Sequence, residues 1–221
     1  MKLLQLNTLT KEFVDDLKPS FDNLPETPHK DGKYRLRRYS AVELRTTFWS
    51  AGTQIEIYRQ PHRNFEQSEE FNKFQGGMVR DFEEIEEEAL QSDCMKEACL
   101  IFKRANDLPD GQEVEIHQMR VLTQENGLAE ASPEGVHQDG YDHVAVIGIN
   151  RHNIYGGELL AYGVGPKGVG HAQVPFFTYA LSDGEMMMLN DKKLWHNANP
   201  VVAGEELNTG HGDWFVFCAN K

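Results

Sequence analysis

Three shortages narrow what this chain can be. Cysteine is scarce: Cys94, Cys99 and Cys218 are odd in number and include no CxxC pair. Neither a disulfide framework nor a zinc knuckle is expected, and a reducing, cytoplasmic setting is. Long apolar runs are lacking too. Nowhere do about 18 apolar residues follow one another, so no membrane span is expected. The opening MKLLQLNTLTKEF stretch meets charge too soon for a secretory leader. Positive charge is the third shortage, with 22 Lys and Arg against 35 Asp and Glu, a net of −13. That balance argues against a nucleic-acid partner, whose phosphates need Lys and Arg, and against a polybasic membrane patch. Much of the acidity is local. Residues 81–97 hold eight Asp/Glu and one Lys, and 1 − 8 = −7 of the −13 lies there. A solvated helix face is its simplest explanation.

What is present is ordinary for a globular protein: 221 residues, 39 % apolar and 26 % charged. One domain spanning 1–221 is expected, with residues 1–111 as helical support and outer strands and 112–221 as the barrel core. Phe13, Val14 and Leu17 sit at helical spacing before Pro19. Residues 20–33 read as loop, and Tyr34 to Ile57 as two strands broken at Ser50-Ala51-Gly52. Residues 59–77 are polar and loop-like, and residues 81–106 read as helix, split where Ser92-Asp93 offers an N-cap. After Pro109-Asp110-Gly111 the texture changes. Short apolar pieces recur at Val114–Leu122, Val144–Asn150, Glu158–Tyr162, Gln173–Ala180, Glu185–Leu189, Lys193–His196 and Trp214–Cys218. Seven such pieces with no helices between them predict an antiparallel sandwich or barrel. The fold class expected is mainly β with packed helices.

Nine histidines are scattered along the chain, and only spacing distinguishes them. His137-Gln138-Asp139 places an imidazole and a carboxylate two residues apart. In an extended segment such residues share one face and can reach one metal. His196 follows 57 residues later, far enough for several strands to bring it back to the same point. Two His and one carboxylate on one side of an ion leave positions open, the arrangement of non-haem Fe(II) oxygenases. The same donors also suit a zinc hydrolase, in which the metal activates water.

Several segments around these residues resemble the 2-oxoglutarate/Fe(II) dioxygenases that hydroxylate free amino acids, the group containing L-isoleucine 4-hydroxylase. They are His117-Gln118-Met119-Arg120, the PEG-x-H-x-DG run from Pro133 to Gly140, Ile149-Asn150-Arg151 with Gly156-Gly157-Glu158, and Leu189 to His196 followed by Pro200. Upstream, Gly76-Gly77-Met78-Val79-Arg80 is similar as well. The resemblance implies a double-stranded β-helix, a jelly-roll or cupin-like barrel. It implies Fe(II) on His137, Asp139 and His196, with 2-oxoglutarate, O₂ and a small-molecule substrate, a free L-amino acid, at the open side.

One departure stands out. The family carries an Arg just before its last strand that clamps the far carboxylate of 2-oxoglutarate, because a guanidinium fork binds carboxylate bidentately. Here that stretch reads Thr209-Gly210-His211-Gly212-Asp213-Trp214, and no Arg follows Arg151. Three readings stay open. His211, helped by Thr209, Lys192 or Lys193, holds the co-substrate; or an Arg from another strand, such as Arg120, does; or the co-substrate differs. A barrel that has lost catalysis and only binds a ligand is a further alternative. For the substrate, Arg120 is the expected carboxylate partner, with Arg80 at the mouth and Asp142 beside the metal motif. Tyr141, Trp195 and Phe215 are candidate pocket walls.

Overall fold

The computed structural model describes residues 2–49, 52–123, 127–165, 174–204 and 209–221. Ser50, Ala51 and Gln173, named above in the strand boundaries, lie outside the described residues. The chain opens with β1 (Leu4–Thr8), α1 (Lys11–Leu17) and a 3₁₀ turn at Lys18–Phe21. A long hairpin follows, β2 (Arg35–Trp49) and β3 (Gly52–Arg59), then α2 (Glu87–Leu90) and α3 (Asp93–Ala105). The remainder is strand: β4 (Gln112–Leu122), β5 (Leu128–Ala129), β6 (His143–His152), β7 (Ile154–Gly156), β8 (Leu159–Tyr162), β9 (Phe177–Tyr179), β10 (Glu185–Asn190), β11 (Trp195–Ala198), β12 (Val201–Ala203) and β13 (His211–Ala219).

These strands form one seven-stranded antiparallel sheet, ordered β1-β10-β6-β13-β4-β2-β3, and two three-stranded sheets, β11-β8-β9 and β5-β12-β7. Strand alternation gives the large sheet two different faces. On β13, Phe215, Phe217 and Ala219 enter the main core with the helices, while Trp214 and Cys218 pack toward the small sheets. The helical side is locked by aromatic edges: Phe217 meets Phe102 of α3 at 5.7 Å and Phe215 meets Phe21 at 5.1 Å. On the other face, Met119, Val121 and Trp214 join Ala129 and Val201 of the third sheet. The result is a jelly-roll barrel with helices packed outside it.

α3 begins where the sequence placed a cap. Ser92 Oγ accepts from the Met95 amide, and Cys94, Met95, Ala98, Cys99 and Phe102 form the buried stripe. Lys103 and Arg104 fall in its last turn, suited to the C-terminal dipole. The helix expected from residue 81 is corrected. Residues 81–86 are not helical; their backbone is taken by neighbours instead. Tyr39 N donates to Glu83 O, Ser40 Oγ accepts from Ile85 N, and Arg59 donates to Ile85 O. These tertiary hydrogen bonds override a helix-favouring composition. Each of the seven expected barrel segments contains a strand, though Lys193–His196 contributes only from Trp195 onward. The short β1, β5, β7 and β12 were not foreseen. Among the described residues no helix is long and apolar enough to cross a membrane.

Candidate metal centre

His137 and Asp139 sit on the connection entering β6, and His196 sits on β11. An isolated antiparallel bridge joins the two histidines. The amide of each donates to the carbonyl of the other at 2.9 Å, so the backbone itself clamps the two side by side. Their ring centroids are 4.4 Å apart. Asp139 lies between: Oδ1 is 3.5 Å from His137 Nε2 and Oδ2 is 3.2 Å from His196 Nε2. Among the described residues this trio offers ligand atoms that all lie within 4.8 Å of one another.

The surroundings aim those atoms. His137 Nδ1–H donates to Gly135 O at 2.7 Å, which holds the ring with Nε2 toward Asp139. Asp191 Oδ1 stands 3.4 Å from His196 Nδ1, an ion-pair contact rather than a formed hydrogen bond. Its other oxygen accepts from the amides of Gly140 and Tyr141 at 2.8 and 3.2 Å, which ties the metal-motif loop to the turn before β11. Gln138 Nε2 adds a bond to Asp191 O. Gln67 Nε2 donates to Asp139 Oδ1 at 3.2 Å, and Arg80 donates to Gln67 Oε1 at 3.1 Å. Gly140 has φ +92° and the Phe71 ring 2.9 Å from where a Cβ would stand. Only glycine meets both demands.

The donor set passes a chemical test for a cation. Burial by itself would lift the Asp139 carboxyl, yet the two imidazoles hold it well below the usual carboxylate range. Burial would also lower His196, but Asp139 and Asp191 outweigh it and raise it to about 10. A cluster that binds a proton so firmly is built for positive charge. A divalent ion there would take the place of that proton and satisfy two imidazole nitrogens and one carboxylate from one side.

The trio forms one wall of a cavity between the large sheet and the smaller ones. Strand parity decides what else faces it. Arg35 and Arg37 enter from β2, His117 and Met119 from β4, Val144 and Val146 from β6, and Trp214, Val216 and Cys218 from β13. Glu134, Tyr141, Leu159 and Asn197 complete much of the lining. Burial, followed by the guanidinium of Arg37, pushes the His117 pKa well down, so that imidazole is neutral. It packs against Tyr39 and Phe65 at 4.9 and 4.6 Å. Tyr141 donates its hydroxyl to Glu115 at 2.8 Å.

The same parity corrects several expectations. Arg120 and His211 alternate with the cavity residues and do not line it. Arg120 turns to the helical side, donating to Asp213 at 2.6 and 2.9 Å and to Asp22 at 3.1 Å. His211 stacks on His152 at 5.1 Å, and its Nε2 lies 3.8 Å from Asp213. Thr209 is exposed, with its carbonyl accepting from Asn153. Asp142 pairs with Lys192 and accepts from the Lys221 amide, away from the lining. Arg80 stands behind Gln67, its guanidinium 4.6 Å from the Phe65 ring centre, and reaches the centre only through that glutamine. Of the candidate walls, Tyr141 lines the cavity, Phe215 belongs to the opposite core, and Trp195 is not in the lining. Sequence reasoning missed Gln67, Arg37, Glu134 and Asp191. None falls at a diagnostic spacing; only Glu134 and Asp191 lie inside segments quoted for the resemblance.

A family profile described as 2OG-Fe dioxygenase matches residues 18–218. No curated protein sequence matches the chain. Among solved structures, a bsmA homolog from Methylobium petroleophilum PM1 is 26 % identical, with a TM-score of 0.72 over 95 % of this chain and 81 % of that one. IDO from Bacillus thuringiensis is 17 % identical, with a TM-score of 0.68 over 98 % and 94 %. The Fe(II)/(alpha)ketoglutarate-dependent dioxygenase TqaL is 17 % identical, with a TM-score of 0.63 over 96 % and 76 %. The last two share the fold.

Proposed function

This chain belongs to the 2OG-Fe dioxygenase family, and we propose that it holds its Fe(II) on His137, Asp139 and His196 and hydroxylates a free L-amino acid. Family membership makes it an oxygenase that uses Fe(II) and 2-oxoglutarate, and it sets aside the zinc-hydrolase and non-catalytic readings. The observation that carries the metal assignment is the convergence of the two imidazoles on one carboxylate within a cavity wall. Bound there with 2-oxoglutarate, the iron supplies O₂ activation for insertion into a substrate C–H bond.

The chain's own residues do the rest. The reciprocal backbone bridge keeps His137 and His196 adjacent, and Gln67 steadies the Asp139 carboxylate. Val144, Val146, Leu159, Met119 and Trp214 give the cavity apolar walls that exclude water from the reacting carbon. An amino acid is favoured by the motif resemblance and by the polar groups among those walls. Arg35 and Glu134 lie 3.6 Å apart on the lining, a cation and an anion side by side that can receive the two ends of a zwitterion.

The test is a panel of the common L-amino acids, each incubated with Fe(II) and 2-oxoglutarate and followed by mass spectrometry. The reading expects one amino acid to gain a single oxygen with matching succinate release. Product on a peptide or a non-amino-acid metabolite, with none across the panel, would overturn the substrate assignment.

A further inference from the structure

The cavity holds a buried guanidinium that makes no ion pair among the described residues. Arg37 is 8 % exposed and lines the cavity. Among the described residues no carboxylate reaches it within ion-pair distance. Its contacts are Met119 Sδ, 3.4 Å from Nη2, and the Phe82 ring, 5.3 Å from its guanidinium carbon. Neighbouring Arg35 differs, because Asp31 holds it at 2.6 Å and Glu134 stands 3.6 Å away. Desolvation, and then repulsion from Arg35, lower the Arg37 pKa to about 9. Burying an uncompensated cation is costly, so a fold that does so lacks a partner that arrives from outside.

The position of Arg37 says which partner. Register runs straight across the large sheet, from Arg37 to Met119 on β4 and on to Trp214 on β13. One row further lies Gly212, opposite Val121, within the stretch where the resemblance expects a co-substrate arginine and a one-residue shift from His211 would put it. No side chain fits there, since a Cβ at Gly212 would stand 1.9 Å from Trp214 Cη2. The indole fills the space that a side chain at Gly212 would need. Arg37 offers the replacement charge from two strands away, on the same face of the same sheet.

We propose that Arg37 receives the carboxylate of 2-oxoglutarate that lies away from the metal. The assignment rests on the oxygenase reading above and adds a relocated clamp. A guanidinium suits the task because its fork can make two charge-assisted hydrogen bonds to one carboxylate.

Calorimetric titration of Mn(II)-loaded protein tests this without turnover. The probes are 2-oxoglutarate and 2-oxobutanoate, which lacks the second carboxylate. Arg37→Met is expected to weaken 2-oxoglutarate by about 10–100-fold and to leave 2-oxobutanoate and Mn(II) binding unchanged. Arg37→Lys, which keeps the charge and loses the fork, is expected to fall between. Unchanged 2-oxoglutarate affinity in Arg37→Met, as would follow if the arginine served the substrate instead, overturns the proposal. So does an equal loss of both oxoacids. Should Arg37→Met lose Mn(II) as well, Arg37→Lys decides by the same comparison. Wild-type protein that takes up Mn(II) but binds neither oxoacid would instead overturn the oxygenase reading itself.

Discussion

Gly212→Ala is a single-methyl perturbation whose cost follows from distances. The added Cβ would meet Trp214 Cη2 at 1.9 Å, Cζ3 at 2.4 Å and Cζ2 at 2.7 Å. Carbon pairs are comfortable at about 3.5 Å, so the indole edge must yield by roughly 1.6 Å. The ring lines the cavity, so displacing it reshapes that space. Overpacking of this kind costs about 1–3 kcal/mol. At about 2–4 °C per kcal/mol for a chain of this size, Tm should fall by about 2–12 °C. Affinity for 2-oxoglutarate should fall with it, because the ligand space is reshaped. Gly163→Ala, with nothing within 4 Å of its Cβ position, is the neutral control. Thermal denaturation followed by near-UV circular dichroism reads the first effect and calorimetric titration the second. A Tm within about 1 °C of wild type with unchanged 2-oxoglutarate affinity would refute the reasoning, since the cavity face of β13 would then have room for a side chain.

Three further outcomes are expected. Gln67→Leu removes the hydrogen bond to Asp139 Oδ1 and should weaken Mn(II) affinity about 10–100-fold, measured by competition with a chelating dye; unaltered affinity would make Gln67 a bystander. In metal-free protein, the raised His196 pKa adds stability that is complete below its ordinary value of 6.5 and is lost as pH climbs toward about 10. Urea midpoints at several pH values should show that decline without metal and a weaker one with Mn(II), where the ion replaces the proton; identical profiles would contradict the assignment. Phe217→Ala empties a fully buried site against Phe102 and should cost about 3–5 kcal/mol by chemical denaturation. It should spare Mn(II) affinity in the folded fraction, because Phe217 faces away from the cavity.

The barrel strands were legible because short apolar segments recur at regular spacing, bounded by Gly, Pro, Asn and Asp. The trio was legible because His137 and Asp139 share a two-residue spacing and His196 closes a quoted motif. Short elements were not. β5 has two residues and β7 and β12 three each, too few for any period to show. Residues 81–86 misled for another reason: their helical composition is overruled by hydrogen bonds to Tyr39, Ser40 and Arg59, partners far away in sequence. The co-substrate side was hardest. His211 and Arg120 have the right chemistry, and one step of strand parity turns both to the wrong face. Arg37 lies about a hundred residues before the metal motif, on a strand read only as an outer one. Its meaning depends on having no ion-pair partner among the described residues, which no spacing reveals.

The central claim is that His137, Asp139 and His196 together hold an iron that binds 2-oxoglutarate. Anaerobic addition of Fe(II) and then 2-oxoglutarate, watched for a visible metal-to-ligand charge-transfer band, tests it most directly. The account expects a band that saturates at one Fe(II) per chain in wild type and is lost in Asp139→Ala. No band in wild type, or a band that persists undiminished in Asp139→Ala, would contradict it.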